Sequence, residues 1–168
     1  MGIIEKKYNG LPDNAKEIVD LIFKNYSTFV PQERLIEEVK NKDVDVTYTN
    51  PVVFYFCGKE YEVSQWNNLC LDLVEAIYSL KPKKIIELAN KKWHYSESRE
   101  GKRPSITNYC RFPNDEKIYE KLKNADKQIY VCVNNSANVS LQFAYALIKE
   151  CGYEQEDLKI LIKNKKVN

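Results

Sequence analysis

The residue types best placed for chemistry lie between Gln128 and Gly152. QIYVCV is a short apolar run, Asn134-Asn135-Ser136-Ala137-Asn138 is a small polar loop, and VSLQFAYALIKECG reads as an amphipathic helix. A helix that opens out of a polar loop gathers unpaired backbone N–H groups with hydroxyl and amide side chains. Such a point suits an anion or a polar partner group. The same residues serve equally well as ordinary turn and N-cap residues. The loop has no glycine to let the backbone wrap a phosphate and no following lysine. The five glycines of the chain lie far apart, so neither a P-loop nor a dinucleotide fingerprint is present.

A second candidate is basic and aromatic. From Lys81 to Arg103 there are eight basic residues against three acidic ones, a local excess of +5 in a chain whose net charge is only +2. Lys91, Lys92, Arg99, Lys102 and Arg103 can neutralise phosphates, while Trp93, His94, Tyr95 and Tyr109 offer rings for base stacking. The competing reading is a solvated loop whose rings turn into the core. The overall charge is far from the strongly basic signature of a dedicated nucleic-acid binder.

Enzymatic chemistry has less to stand on. A Cys–His nucleophile needs an imidazole held against a thiol. The one histidine is His94, and Cys110 is its nearest thiol in sequence. Five cysteines (Cys57, Cys70, Cys110, Cys132, Cys151) form no CxxC pair, and their odd number and apolar settings fit reduced, buried thiols. No metal site is expected, because the ligands are too scattered. Asp157-Leu158-Lys159 has the acid-x-Lys pattern of metal-assisted nucleases, but Glu5, Glu38, Glu100 and Asp115 start the same triplet. No catalytic residue, metal or cofactor is assigned.

The elements that must position these residues follow from periodicity. NAKEIVDLIFKN (14–25) has helical spacing, and a second helix is expected from Pro31 through Val39. Together they form an N-terminal helical segment, residues 1–43, or the start of a winged-helix-like unit. Val44 to Tyr48 is β-rich. VVFYFC, a Gly58 turn and YEV read as a hairpin. Ser64 is expected to cap a long helix to Leu80 with Trp66 on its core face, and a shorter helix runs from Pro82 to about Asn90. Lys91 to Pro113 reads as a long irregular loop, and Asn114 to Asn124 as a charged helix. The run from Gln128, the helix from Asn138 and a strand from Leu158 to Ile162 suggest a right-handed parallel crossover. The expected class is α+β: a mixed sheet, made of the hairpin plus a terminal β-α-β, packed with several helices in a module spanning 44–168.

One ordered set of residues also resembles a known module. GKEYEVSQWNNLCLDLVEAIYSLKPKKIIELAN, WHYS, a basic Arg-Pro stretch and IYVCVNNSANVSLQFAYALIKECGYEQEDLKILI are similar to the C-terminal module of bacterial restriction-type and related defence proteins. Gly58, Lys59, Trp66, Tyr95, Ser96, Asn134, Ser136, Ala137 and Asn138 occupy its motif positions, over Val52 to Ile162. The first fifty residues do not match, and Asn114 to Asn124 is an insertion. The module has no assigned catalytic residues, so the resemblance implies nucleic-acid-directed defence without naming a reaction.

The expectation is therefore a cytoplasmic, non-enzymatic binding protein with no membrane partner. No run approaches the roughly 20 apolar residues of a membrane span, and the first residues lack a secretory pattern. It would contact nucleic acid, or a nucleic-acid-processing protein complex, in bacterial or phage defence. Lys91, Lys92, Trp93, His94, Tyr95, Arg99, Lys102 and Arg103 form one contact set. Asn134, Asn135, Ser136 and Asn138 form the other. The alternatives are a protein–protein adaptor or inhibitor of a defence enzyme, and a cryptic nuclease or hydrolase.

Overall fold

The computed structural model describes residues 12, 14–20, 36–95, 103–110 and 117–164. The chain divides into two units, Met1–Arg34 and Leu35–Asn168. In the first, residues 14–20 are helical (α1), and Pro12 O accepts from the N–H groups of Ala15 and Lys16 at 2.9 and 3.0 Å. The expected continuation to Asn25, and residues 31–35 of the second expected helix, lie outside the described residues.

The second unit is α+β. Its strands are β1 (Glu37–Val39), β2 (Thr49–Phe56), β3 (Lys59–Glu62), β4 (Ile106–Thr107), β5 (Tyr119–Lys121), β6 (Tyr130–Cys132) and β7 (Leu158–Asn164). Its helices are α2 (Trp66–Leu80), α3 (Pro82–Asn90) and α4 (Ala137–Glu150), with a 3-10 turn at Gln155–Asp157. One sheet has the order β1-β7-β2-β3 and the other β4-β6-β5.

The hairpin forms as expected. Cys57 and Gly58 both take positive φ, 49° and 76°, as a two-residue turn matched to strand twist requires. Phe54 faces Tyr61 across the pair, and their rings stack at 4.6 Å. Pro51 sits where the β2–β7 register shifts, a bulge position that tolerates a residue without an N–H.

The parallel crossover does not form. Every described strand pair is antiparallel, and β6 and β7 belong to different sheets. β6 is three residues long and pairs with the short strands on either side of it, β4 and β5. β7 is seven residues long and matches the eight-residue β2. It lies between β2 and β1, where more of its backbone groups find partners. The sheet is thus not mixed; there are two antiparallel sheets.

Three local expectations also change. Glu37–Val39 is a strand and not the end of a helix, because β7 offers it a ladder. Residues 44–48 form a turn and not a strand, because side chains take up its backbone groups. Tyr119–Lys121, expected to be helical, pairs with β6, which buries Tyr119. At α2, Gln65 is the N-cap and no side chain caps the helix, so Ser64 does not have the role expected of it.

The core is formed by Phe54 and Phe56 of β2, Leu69, Leu73 and Ile77 of α2, Ile85 and Leu88 of α3, and Leu141, Phe143 and Leu147 of α4, with Ile160 of β7. Each such side chain, once fully buried, contributes roughly 1.5–3 kcal/mol. Trp66 is in this core, as its helical position predicts, and its indole N–H donates to Thr49 O at 3.1 Å. No described helix is long and apolar enough to cross a membrane.

Candidate functional site

α4 is the element around which both predicted segments gather. Its core face is set by Leu141, Phe143, Ala144, Leu147 and Ile148. Ser136 is its N-cap, with extended backbone and a hydroxyl oxygen that accepts from Val139 N–H at 3.4 Å. Gly152 follows the helix with φ 73°, the left-handed residue expected there.

Asn138, in the first turn of α4, is committed within the protein. Its Oδ1 accepts from Val46 N–H at 2.8 Å, and its Nδ2 donates to Asp45 Oδ1 at 3.0 Å and to Thr47 Oγ1 at 3.1 Å. Asp45 Oδ1 also accepts from the Thr47 N–H at 2.9 Å and hydroxyl at 2.6 Å. The Thr47 hydroxyl and N–H, then Asn138, hold the Asp45 carboxyl down to about 2. Val46 O accepts from both the N–H and the hydroxyl of Thr49, at 3.1 and 2.7 Å. Residues 44–48 are therefore a side-chain-bonded turn, which β propensity could not reveal. In the Val46–Thr49 turn that the Thr49 N–H closes, Tyr48 is the third residue and takes φ 62° with 76% of its surface exposed. Of the remaining loop residues, Asn135 Nδ2 donates to Cys132 O at 3.0 Å, and Asn134 and Ser136 are exposed.

The basic stretch is more firmly anchored than its composition suggests. Lys81 donates to Cys151 O at 2.7 Å with its ammonium 3.9 Å from the Tyr153 ring centre. Lys84 pairs with Glu150 at 3.0 Å and with Glu87 at 3.7 Å. Lys91 pairs with Glu87. Lys83, Lys92 and Arg103 make no ion pair with another described residue. Lys92 closes α3 with φ 53°; its N–H donates to Ala89 O, and that of Trp93 to Leu88 O. This is the six-to-one and five-to-two pattern of a helix C-cap, with lysine where glycine is usual.

The Trp93 ring is half-buried and lies 5.9 Å from Phe143 of α4, so it packs on the core and is not free to stack on a base. Trp93 O accepts from Ser105 and Ile106 N–H, which joins the stretch to β4. His94 is half-buried, with Nδ1 shielded from solvent and unpartnered. Tyr95 also packs on the core. Arg99 and Lys102 lie outside the described residues.

Tyr95 lines a groove of about 700 Å³ along the outer face of α4. Gln142, Tyr145 and Lys149 line it from the helix, Lys42 from the loop after β1, and Tyr153 from the turn after α4. Asp43 and Glu154 also reach it, so its fixed charges balance. The loop is held to α4 by the Tyr145 hydroxyl, which donates to Val39 O at 3.3 Å, and by Asn138 at the other end. Gln155 Nε2 donates to Lys40 O at 2.9 Å. Gln142 is one helical turn, about 6 Å, beyond Asn138. Tyr95 of the basic stretch thus shares the groove with Gln142, one turn beyond the helix entrance.

Sequence reasoning missed Lys42, Gln142, Tyr145, Lys149 and Tyr153. The spacing of Gln142, Ala146 and Lys149 marks the outer face of α4. Nothing in the sequence pairs that face with the loop after β1.

Three of the five thiols and the Asp157–Lys159 pair are held in structural settings. Burial pushes the Cys70 thiol up to about 12 and the Cys151 thiol up to about 11, and Cys57 is also raised, first by burial and then by Asp157. A raised thiol is a poor nucleophile at neutral pH. Asp157 Oδ2 accepts from Glu154 N–H at 2.9 Å within a capping box, and Lys159 pairs with Glu38 at 2.8 Å. Among the described residues no group of three His, Cys, Asp or Glu side chains converges to hold a metal.

No protein-family model, curated protein or solved structure matches the chain.

Proposed function

We propose that this protein is a non-enzymatic binding protein whose ligand is single-stranded nucleic acid, free or within a nucleoprotein complex, as part of bacterial or phage defence. The observation that carries this reading is the groove along α4. Tyr95 and Tyr153, both half-buried, and the edge of the buried Tyr145 give it aromatic surface, Lys42 and Lys149 give it cations beside Asp43 and Glu154, and Gln142 gives it an amide. Rings beside ammonium groups are what a strand of bases and phosphates requires. Lys92 and Arg103, exposed and without a described ion-pair partner, supply further charge from the stretch that contains Tyr95. The placement in defence comes from the motif resemblance alone. The raised Cys57, Cys70 and Cys151 thiols and a structurally engaged Asp157 support binding over catalysis.

The test is fluorescence anisotropy of a labelled oligothymidylate across a salt series. Affinity falls as salt rises, with a log–log slope of about −0.7 per phosphate neutralised. Lys149→Glu and Lys42→Glu weaken binding and flatten that slope. An affinity that salt leaves unchanged, or no binding at low salt, removes the proposal.

A further inference from the structure

The groove along α4 carries two carboxylates that a site for phosphate alone has no use for. Asp43 and Glu154 line it together with Lys42 and Lys149. Each carboxylate repels a phosphate and so weakens the pull of the lysines. Glu154 is committed within the fold: its side chain accepts from the Asp157 N–H in the capping box of the 3-10 turn. Asp43 is not. It is exposed, and among the described residues its carboxylate takes no hydrogen bond and forms no ion pair, not even with the two lysines of the groove. Its place is fixed all the same. The Asp43 N–H donates to Asn41 Oδ1 at 2.9 Å. The loop around it is tied down on both sides, by Gln155 Nε2 donating to Lys40 O at 2.9 Å and by the Val46 N–H donating to Asn138 Oδ1 at 2.8 Å. An acceptor on a loop held in this way loses little freedom on binding.

The neighbours of this acceptor narrow the ligand. Lys42 precedes Asp43 in the chain, and both line the groove. In a nucleotide the sugar lies between the phosphate and the base. Given the single-stranded ligand proposed above, with a phosphate on Lys42 and a base on the aromatic surface, the group that meets Asp43 is the sugar. Deoxyribose within a strand has no donor to offer a carboxylate. Ribose has its 2′-hydroxyl, the group by which a protein tells RNA from DNA.

We propose that the groove selects ribonucleotide strands and that Asp43 is its specificity residue, accepting a hydrogen bond from a 2′-hydroxyl. This rests on the nucleic-acid reading of the groove, and the experiment separates the two. Fluorescence anisotropy compares labelled oligouridylate, oligodeoxyuridylate and 2′-O-methyl-oligouridylate of one length at one salt concentration. Uracil is common to all three, so a contact to the base produces no difference among them. The expected result is that the ribose strand binds about three- to tenfold tighter than the deoxy strand, the worth of one charge-assisted hydrogen bond in an exposed groove. The methylated strand cannot donate and binds like the deoxy strand. Asp43→Ala brings the two affinities together by weakening the ribose strand and not the deoxy strand, whereas damage to the groove would weaken both alike. Equal affinity for ribose and deoxy strands, a methylated strand as tight as the ribose strand, or an unchanged ratio in Asp43→Ala overturns this inference and leaves the groove reading standing. No binding of any strand at low salt removes both.

Discussion

Among the described residues, two places hold a long side chain in the left-handed conformation by different means. At Lys92 the backbone does it: the N–H groups of Lys92 and Trp93 cap α3, and no side chain takes part. At Tyr48 the side chains do it, through Asp45, Thr47, Thr49 and Asn138. A backbone-made cap accepts any residue able to take the conformation, with glycine favoured. A side-chain-made turn depends on particular residues from a distant element, so its geometry can be lost by one substitution. The first is a general way to end a helix. The second is specific to this chain.

The largest effect that would break this contrast is Asn138→Ala. It strands the Val46 N–H and removes two further bonds to the turn, and the expected loss is about 2–3 kcal/mol in urea unfolding. An unchanged midpoint would mean the turn stands without α4. Lys92→Gly has the opposite sign. It relieves left-handed strain while adding unfolded-state entropy, and stabilises by up to about 1 kcal/mol. A loss of stability would mean that the Lys92 side chain holds the cap. Tyr48→Gly follows the same arithmetic and gains about 0.5–1 kcal/mol, read as a raised melting temperature. A fall there would assign the tyrosine a packing role.

The smallest effect is a pH dependence. The folded Asp45 carboxyl lies at about 2 against an ordinary 3.8, so the unfolded chain binds that proton more tightly. Its contribution is present in full above about pH 4 and is lost as pH falls through about 2. Asp45→Asn should flatten that part of the acid-unfolding curve. A curve identical to that of the parent protein would show that the Thr47 and Asn138 hydrogen bonds do not favour the ionised form.

Elements whose residues bury one face were legible. The hairpin, α2 with Trp66, α3 behind Pro82, α4 with its Ser136 cap and Gly152 stop, and β7 all lie where periodicity and turn chemistry put them. Short segments were misread. Tyr119–Lys121 and Glu37–Val39 have too few residues for a period to declare itself, and each is a strand because a neighbouring strand supplies the ladder. The candidate site was legible in part. Of the residues that line the groove, Tyr95 alone was among those expected to make contacts; Asn138 is committed within the protein, and Trp93, expected to face a ligand, packs against Phe143. Lys42 and Lys149 carried no signal, since a lysine's neighbours across space leave no mark on its neighbours in sequence.

By itself the sequence determined the α+β class, the long helices and the hairpin, because each depends on a local repeat of apolar side chains or a turn residue with a conformational preference. Only the tertiary structure decided that β7 joins the hairpin sheet and leaves β6, that Asn138 closes a turn 92 residues away, and that the groove runs beside α4. Those outcomes depend on which backbone and side-chain groups find partners across long separations, and that competition is settled by packing in three dimensions.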